Sequence, residues 1–274
     1  MVSRPAFPEA SPAATHDALP ARVAVVGTPI SLTSYDEVLV KLAGRPADRP
    51  TVVAVCNVHS LMTARSDPDV ARALRGADIA TPDGMPLVWA LRRLARPEQN
   101  RVYGPDLMRA ALSHGLAHGW KHYLYGATPD TLERLRAAAH ELAPGVQIVG
   151  WHAPPFRALT AEEEQAVLAD IRASGADLVW VGIGMPKQEL WMDRVAPSLP
   201  GVALLGVGAA FDLLSGVVPQ APPRLQRVGL EWAYRLAQEP RRLWRRYLWN
   251  NPRYVVLLAL QLLTSPRTRA VTDG

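Results

Sequence analysis

Short apolar runs alternate with stretches of helical period along most of the chain. "RVAVV" (22–26), "TVVAV" (51–55), "DIAT" (78–81), "KHYLYG" (121–126), "VQIVGW" (146–151), "DLVWVGIG" (177–184) and "VALLGVG" (202–208) are too short for helices and carry the β-branched and aromatic residues of strands. Between them lie amphipathic segments: "SYDEVLVKLAG" (34–44), "VHSLMTARS" (58–66), "DPDVARALRGA" (67–77), "GMPLVWALRRLA" (84–95), residues 105–119, "TPDTLERLRAAAHELAPG" (128–145), "TAEEEQAVLADIRASGA" (160–176) and "MPKQELWMDRVAPSL" (185–199). This βα alternation predicts an α/β fold, a Rossmann-like and mostly parallel sheet covered by helices, over residues 21–221. No internal repeat interrupts it.

The pattern changes at Pro222. From there to the C-terminus no strand pattern remains, and the chain reads as two helices that break at Pro240 and can pivot there, a helical appendage over 222–274. Residues 1–20 are rich in Pro and Ala, lack the apolar core of a signal peptide, and are expected to form a disordered tail. The most apolar stretch, "YVVLLALQLL" (254–263), is about half of the ~20 residues that span a bilayer.

Open α/β sheets bind ligands at the carboxyl ends of their strands, so the residues that follow each apolar run are the candidates. They are Asn57, Asp83 with Gly84, Gly126 in "YGATPD", Gln188 in "GMPKQE", and Gly208 with Asp212 in "GVGAAFD". Gly126 stands between a strand and a helix start, where amide hydrogens gather an anion. Asp83 is placed either to cap the following helix or to accept a proton from a bound hydroxyl. Pro186 pre-sets the first turn of its helix, Lys187 adds charge, Glu189 is placed to cap amides, and Trp191 to pack in the core.

Other chemistries find little support. "GVGAAF" and "GIGMPK" fall short of GxGxxG, and no acid stands at the spacing a dinucleotide ribose requires. The one Asp-x-Asp, Asp67-Pro68-Asp69, is explained by an N-cap followed by proline at the first helical position. No zinc spacing and no GxSxG elbow is present, so neither a metal nor a cofactor is expected. Tyr-x-x-x-Lys is missing too, which counts against an epimerase.

The formal net charge is +5 and lysine occurs only at 41, 121 and 187, so the basic charge is nearly all arginine. Guanidinium groups bind phosphate oxygens in pairs. Cys56 is the only cysteine, which excludes an internal disulfide. The appendage concentrates the arginines: Arg241, Arg242, Arg245 and Arg246 interleave with Trp244, Tyr247 and Trp249. Such a segment can be a solvated face or a nucleic-acid surface, but the apolar run that follows suits an anionic membrane surface better than nucleic acid.

Together, "NVHS", "ATPDGMPLVWA", "RVYGPDLM", "YLYGATPDTLERL", "VGIGMPKQELWM", "GVGAAFDLLSG" and "APPRLQRVGLEWAYRLAQEPRRLWRRYL" resemble the WecG/TagA/CpsF family of bacterial glycosyltransferases. "DGMPLVW" is closest to the exopolysaccharide branch, and Val55 stands where some members carry threonine. The resemblance implies an inverting, metal-independent transferase without cofactor. It would move a hexosyl or N-acetylhexosaminyl group from a UDP-sugar to a polyprenyl-diphosphate-linked sugar. It implies a cytoplasmic protein held peripherally at the inner face of the membrane, with a homo-oligomer left open. It also implies Asp83 as general base, Asn57, Arg101 and Gln188 around the donor diphosphate, and Gly208 and Asp212 near the nucleotide. A binding module with a vestigial nucleotide fold is the alternative.

Overall fold

A computed structural model of the protein describes residues 19–264. Most of the expected N-terminal tail and the last residues of the appendage lie outside the described residues. The chain runs β1 (Arg22–Val25), β2 (Thr28–Ser31), α1 (Tyr35–Ala43), β3 (Thr51–Cys56), α2 (Val58–Ser66), α3 (Pro68–Gly76), β4 (Ile79–Pro82), α4 (Met85–Leu94), α5 (Gly104–His118), β5 (Lys121–Gly126), α6 (Pro129–Leu142), β6 (Gln147–His152), α7 (Ala161–Ser174), β7 (Leu178–Gly182), α8 (Lys187–Val195), β8 (Ala203–Gly206), α9 (Ala210–Leu214), α10 (Pro223–Arg227), α11 (Glu231–Gln238) and α12 (Pro240–Thr264).

Strands β3 to β8 form one six-stranded sheet in the order β4-β3-β8-β7-β5-β6, with every neighbouring pair parallel. The fold is thus the expected Rossmann-like α/β arrangement. Both faces are covered, which is why the central strands are apolar throughout rather than alternating. On one face Leu107, Met108, Leu132 and Leu135 pack on Leu124, Trp180 and Leu205. On the other, α2 and α4 bring Leu61, Leu87 and Leu91, and α7 and α8 bring Ile171, Trp191 and Met192. β3 leads outward to β4 in one direction and β5 to β6 in the other, so a crevice opens at the carboxyl ends of the strands between them.

The first strand departs from expectation. β1 does not join the parallel sheet but pairs antiparallel with β2, which the sequence reading missed. Val26 and Gly27 join the two with φ of 51° and 86°, the left-handed pair that a two-residue hairpin turn demands. Pro29 disguises β2, since proline is poor in strand interiors.

The described part of the C-terminal segment holds three helices rather than two, with the expected break at Pro240. Its described contacts tie it to the core rather than leave it free to pivot. Tyr254 donates its hydroxyl hydrogen to the Pro86 carbonyl at 2.9 Å, and Asn250 meets His59 Nδ1 at 3.1 Å. Gln261 bridges the hairpin, accepting from Val26 N and donating to the Ala24 carbonyl, each at 2.7 Å. Pro252 sits inside α12, yet the helix continues past it, with Tyr254 buried in the core just beyond.

Candidate active site

A cavity of about 890 Å³ occupies the crevice, floored by the carboxyl ends of the strands and covered by α11 and α12. Asn57, Asp83, Lys187, Gln188, Gly208 and Asp212 line it from the core, and Glu231, Arg235, Arg242 and Arg246 from the C-terminal helices.

Asp83 follows β4. Its amide donates to the Cys56 carbonyl at 2.8 Å, which ties the end of β4 to that of β3. Gly84, not Asp83, takes the N-cap position of α4, and no side chain caps that helix. The Asp83 carboxyl instead accepts from the Gly104 amide at 3.3 Å and lies 3.7 Å from Arg101 Nη2. Burial pushes it up to about 6, against the opposing pull of Arg101.

Arg101 is not where the diphosphate expectation put it. It does not line the cavity. Its guanidinium bonds the Asp83 carbonyl and pairs with Glu231 Oε2 at 2.6 Å, while lying over the Tyr103 ring at 3.8 Å. Tyr103 donates to the other Glu231 oxygen at 3.0 Å. Arg101 is thus committed to fastening α11 to the Asp83 loop. Sequence reading assigned no site role to Glu231, Arg235 or Tyr103.

Gly126 needs the same correction. The cavity is lined by its neighbours Tyr125, Ala127 and Thr128, not by Gly126 itself. With φ of +140° it lies so close to β7 that a Cβ would sit 2.6 Å from the Gly182 carbonyl. Glycine is required there by backbone approach rather than by an anion. Thr128 caps α6, accepting from Thr131 N at 3.2 Å. The Asn57 side-chain oxygen caps α2, accepting from His59 N at 3.0 Å and Ser60 N at 3.3 Å. Asp67 caps α3 as expected, accepting from Asp69 N at 3.0 Å.

The Glu189 carboxylate takes a hydrogen bond from its own backbone amide. It is buried at the start of α8 and accepts from Gln188 Nε2 at 2.9 Å. Gln188 Oε1 is buried without a partner, and Nε2 keeps a second N–H beside the one given to Glu189. Trp191 packs in the core, stacked on Tyr125 at 4.1 Å. Gly208 has φ of +55° and lies beside Gln188, and burial raises the Asp212 carboxyl against the pull of Arg242.

The five appendage residues expected to face a membrane divide. Arg241, Trp244 and Arg245 are exposed, away from the cavity. Arg242 and Arg246 line it, because residues four apart share a helix face and that face looks inward. Arg235 Nε and Arg246 Nε are buried without a partner, although burial disfavours the Arg246 charge. Unmatched guanidinium donors above a carboxylate make a site for an anionic group that reacts next to a base. Among the described residues no group of three His, Cys, Asp or Glu is placed to hold a metal ion. Residues 23–268 match the family described as Glycosyl transferase WecG/TagA/CpsF family.

Proposed function

This chain belongs to the WecG/TagA/CpsF family of glycosyltransferases of cell-surface polymer synthesis, and we propose that it moves a sugar from a UDP-sugar to a polyprenyl-diphosphate-linked sugar. The observation that carries this reading is the cavity in which Asp83 faces Arg235, Arg242 and Arg246. In the proposed step the acceptor hydroxyl gives its proton to Asp83 and its oxygen attacks the anomeric carbon. The bond from that carbon to the UDP oxygen breaks, and UDP leaves with the electron pair. A single displacement inverts the anomeric centre. A carboxyl of pKa about 6 is mostly ionised at neutral pH yet basic enough to help, which suits a general base. The three arginines and Lys187 neutralise the leaving diphosphate, the work a divalent ion does in other transferases. Asp212 and Gly208 lie on the nucleotide side of this arrangement.

The same reading places the protein at the inner membrane surface. No helix among the described residues is long and apolar enough to cross a membrane. α12 instead exposes Trp244, Leu248, Trp249, Val255, Val256 and Leu263, with Arg241 and Arg245 at the start of the same surface. An apolar face edged by arginine and tryptophan suits anionic headgroups, where the acceptor lipid resides. The test is UDP release by metal-stripped protein in excess EDTA, with a panel of UDP-sugars and a short-chain lipid-diphosphate sugar. Turnover with at least one donor is expected. No release from any donor overturns the donor class, and a loss restored only by magnesium or manganese overturns metal independence.

A further inference from the structure

Arg101 and Tyr103 stand in the loop between α4 and α5, and both reach across to α11. Each nitrogen of the Arg101 guanidinium has a partner. Nε donates to the Asp83 backbone carbonyl, Nη1 meets Gln226 Oε1 at 3.5 Å, and Nη2 donates to Glu231 Oε2 at 2.6 Å. The Asp83 carboxyl is passed over. Its Oδ1 lies 3.7 Å from the same Nη2, too far for a hydrogen bond, and takes the Gly104 amide at 3.3 Å. Tyr103 holds the arrangement, with its ring 3.8 Å from the guanidinium and its hydroxyl donating to Glu231 Oε1 at 3.0 Å. Two carboxylates thus compete for one guanidinium, and Glu231 has the closer contact. All three groups are largely buried, so the position of the cation between them matters more than it would in water.

We propose that Glu231 is a positioning residue for the transfer step: it draws the Arg101 guanidinium away from the Asp83 carboxylate, which keeps its lone pairs for the acceptor hydroxyl. This rests on the reading of Asp83 as the base and deepens it. A carboxylate in a close, hydrogen-bonded pair with arginine is a poorer proton acceptor, because the positive charge holds it ionised. Glu231 belongs to α11, one of the two helices that cover the cavity. The base therefore has its full strength only while α11 is seated over it.

The charges around Asp83 agree with this. Burial raises its carboxyl to about 6; Arg101 pulls it down, Glu231 pushes it up, and the Gly104 amide and Arg235 pull it down again. The other titratable groups that face it are Tyr103 on the same loop as Arg101, Tyr35 on α1, Cys56 on β3 and Arg246 on α12. Burial raises the two phenols and the thiol, so they stay protonated and neutral at working pH. The arginines and Glu231 then set the field at the base, and Arg101 is the one whose position Glu231 fixes by direct contact.

The experiment follows kcat/KM against pH, from about pH 4 to about pH 9, in the full chain, Glu231→Gln, Glu231→Asp, Arg101→Met and the pair Arg101→Met with Glu231→Asp. The Asp83 carboxyl is titrated alongside by carbon-13 NMR, with Asp83→Asn marking its resonance, so that its ionisation is read without turnover. Glu231→Gln removes the charge that holds Arg101, and Glu231→Asp keeps the charge but withdraws it by one methylene. Both should let the guanidinium close on Asp83, moving the acid limb from about pH 6 to about pH 5 or lower and cutting plateau turnover ~3–10-fold. Arg101→Met should move the limb the other way, above about pH 6, and adding Glu231→Asp should then change nothing further. A limb that falls in Glu231→Gln but stays in place in Glu231→Asp would show that Glu231 acts by its charge alone and overturn the inference. So would a uniform loss of activity with the limb unmoved in both, the mark of a residue that only fastens α11. If Glu231→Gln does not fold, Glu231→Asp decides alone. Should the protein turn over no UDP-sugar, or Asp83→Asn keep wild-type turnover, the parent reading falls and this role with it. An Asp83 titration unmoved by both Glu231 variants, in a protein that does turn over, sinks this inference alone.

Discussion

Replacing Asp83 with asparagine should remove activity and stabilise the fold, and the two effects should carry different pH dependences. The carboxyl is 17% exposed and its pKa is raised from 3.8 to about 6, chiefly by burial. At 1.36 kcal/mol per pKa unit, that rise of about 2 units is an electrostatic cost of roughly 3 kcal/mol for keeping Asp83 ionised in the folded chain. Residual solvent contact makes this an upper value, so about 2 kcal/mol is a fair expectation. The sign follows from the direction of the shift. The folded state holds this proton more tightly than the unfolded chain, so protonation favours folding. Stability is therefore fully present below pH 3.8 and lost as pH rises through about 6. Asparagine keeps an oxygen for the Gly104 amide but never ionises. In urea denaturation the variant should be more stable by ~2 kcal/mol at pH 8, and the advantage should vanish by about pH 4. Turnover should fall ~10²–10⁴-fold, the usual contribution of a general base. In the wild type, kcat/KM at pH 5 should be about a tenth of its plateau, whereas an ordinary carboxylate would still be about nine-tenths ionised there. Near wild-type turnover in the variant would refute the base assignment. Equal or lower stability at pH 8 would refute the electrostatic account of Asp83.

Two further outcomes follow from the C-terminal helices. Arg246→Met and Arg235→Met should each raise donor KM and pyrophosphate inhibition constants at least ~10-fold, since a hydrogen bond to a charged group contributes about 1.5–3 kcal/mol; unchanged constants in both would remove these arginines from the diphosphate site. Replacing Arg241 and Arg245 by glutamate and Trp244 and Trp249 by serine should release the protein from anionic vesicles in co-sedimentation. The wild-type binding should weaken with added salt, each arginine being worth about 1 kcal/mol near such a surface, and sedimentation that survives all four substitutions would reject docking through α12.

Much of the core was legible because its physics is one-dimensional. Strands buried on both faces read as apolar runs, and the residues after them must stand at one rim, so Asn57, Asp83, Gln188, Gly208 and Asp212 could be grouped before any coordinates. What failed depended on relations the sequence does not write down. The β1–β2 hairpin turns on Val26 in a left-handed conformation, which β-branched residues rarely adopt. Arg101 looked like a phosphate ligand because its partner Glu231 lies 130 residues away. Gly126 looked like an anion cradle because its close approach to Gly182 arises only when β5 and β7 pair. A weak signal did exist for the arginines: Arg242 and Arg246 are four apart, as are Arg241 and Arg245, so the two pairs had to lie on different faces.

Those faces would let one helix serve both the cavity and, in the proposed reading, a bilayer. Successive residues on α12 are rotated by about 100°, so neighbours in sequence look in different directions. Leu243, Asn250, Tyr254 and Gln261 face the core, and the hydrogen bonds of the last three to His59, Pro86 and the β1–β2 hairpin fix the roll of the helix. With that roll set, Arg242 and Arg246 are turned into the cavity, and Trp244, Leu248 and Val255 outward. The roll cannot change to serve one surface without disturbing the other. Glu231 extends the constraint to α11, because its carboxylate is held by Arg101 and Tyr103 on the α4–α5 loop, and Arg101 also bonds the Asp83 carbonyl. A membrane that grips the outer face of α12 would therefore act on the helix that supplies the proposed diphosphate ligands, while the base stays on the core sheet. The anionic leaving group and the lipid-borne acceptor would then meet at the seam between them, which is where the cavity lies.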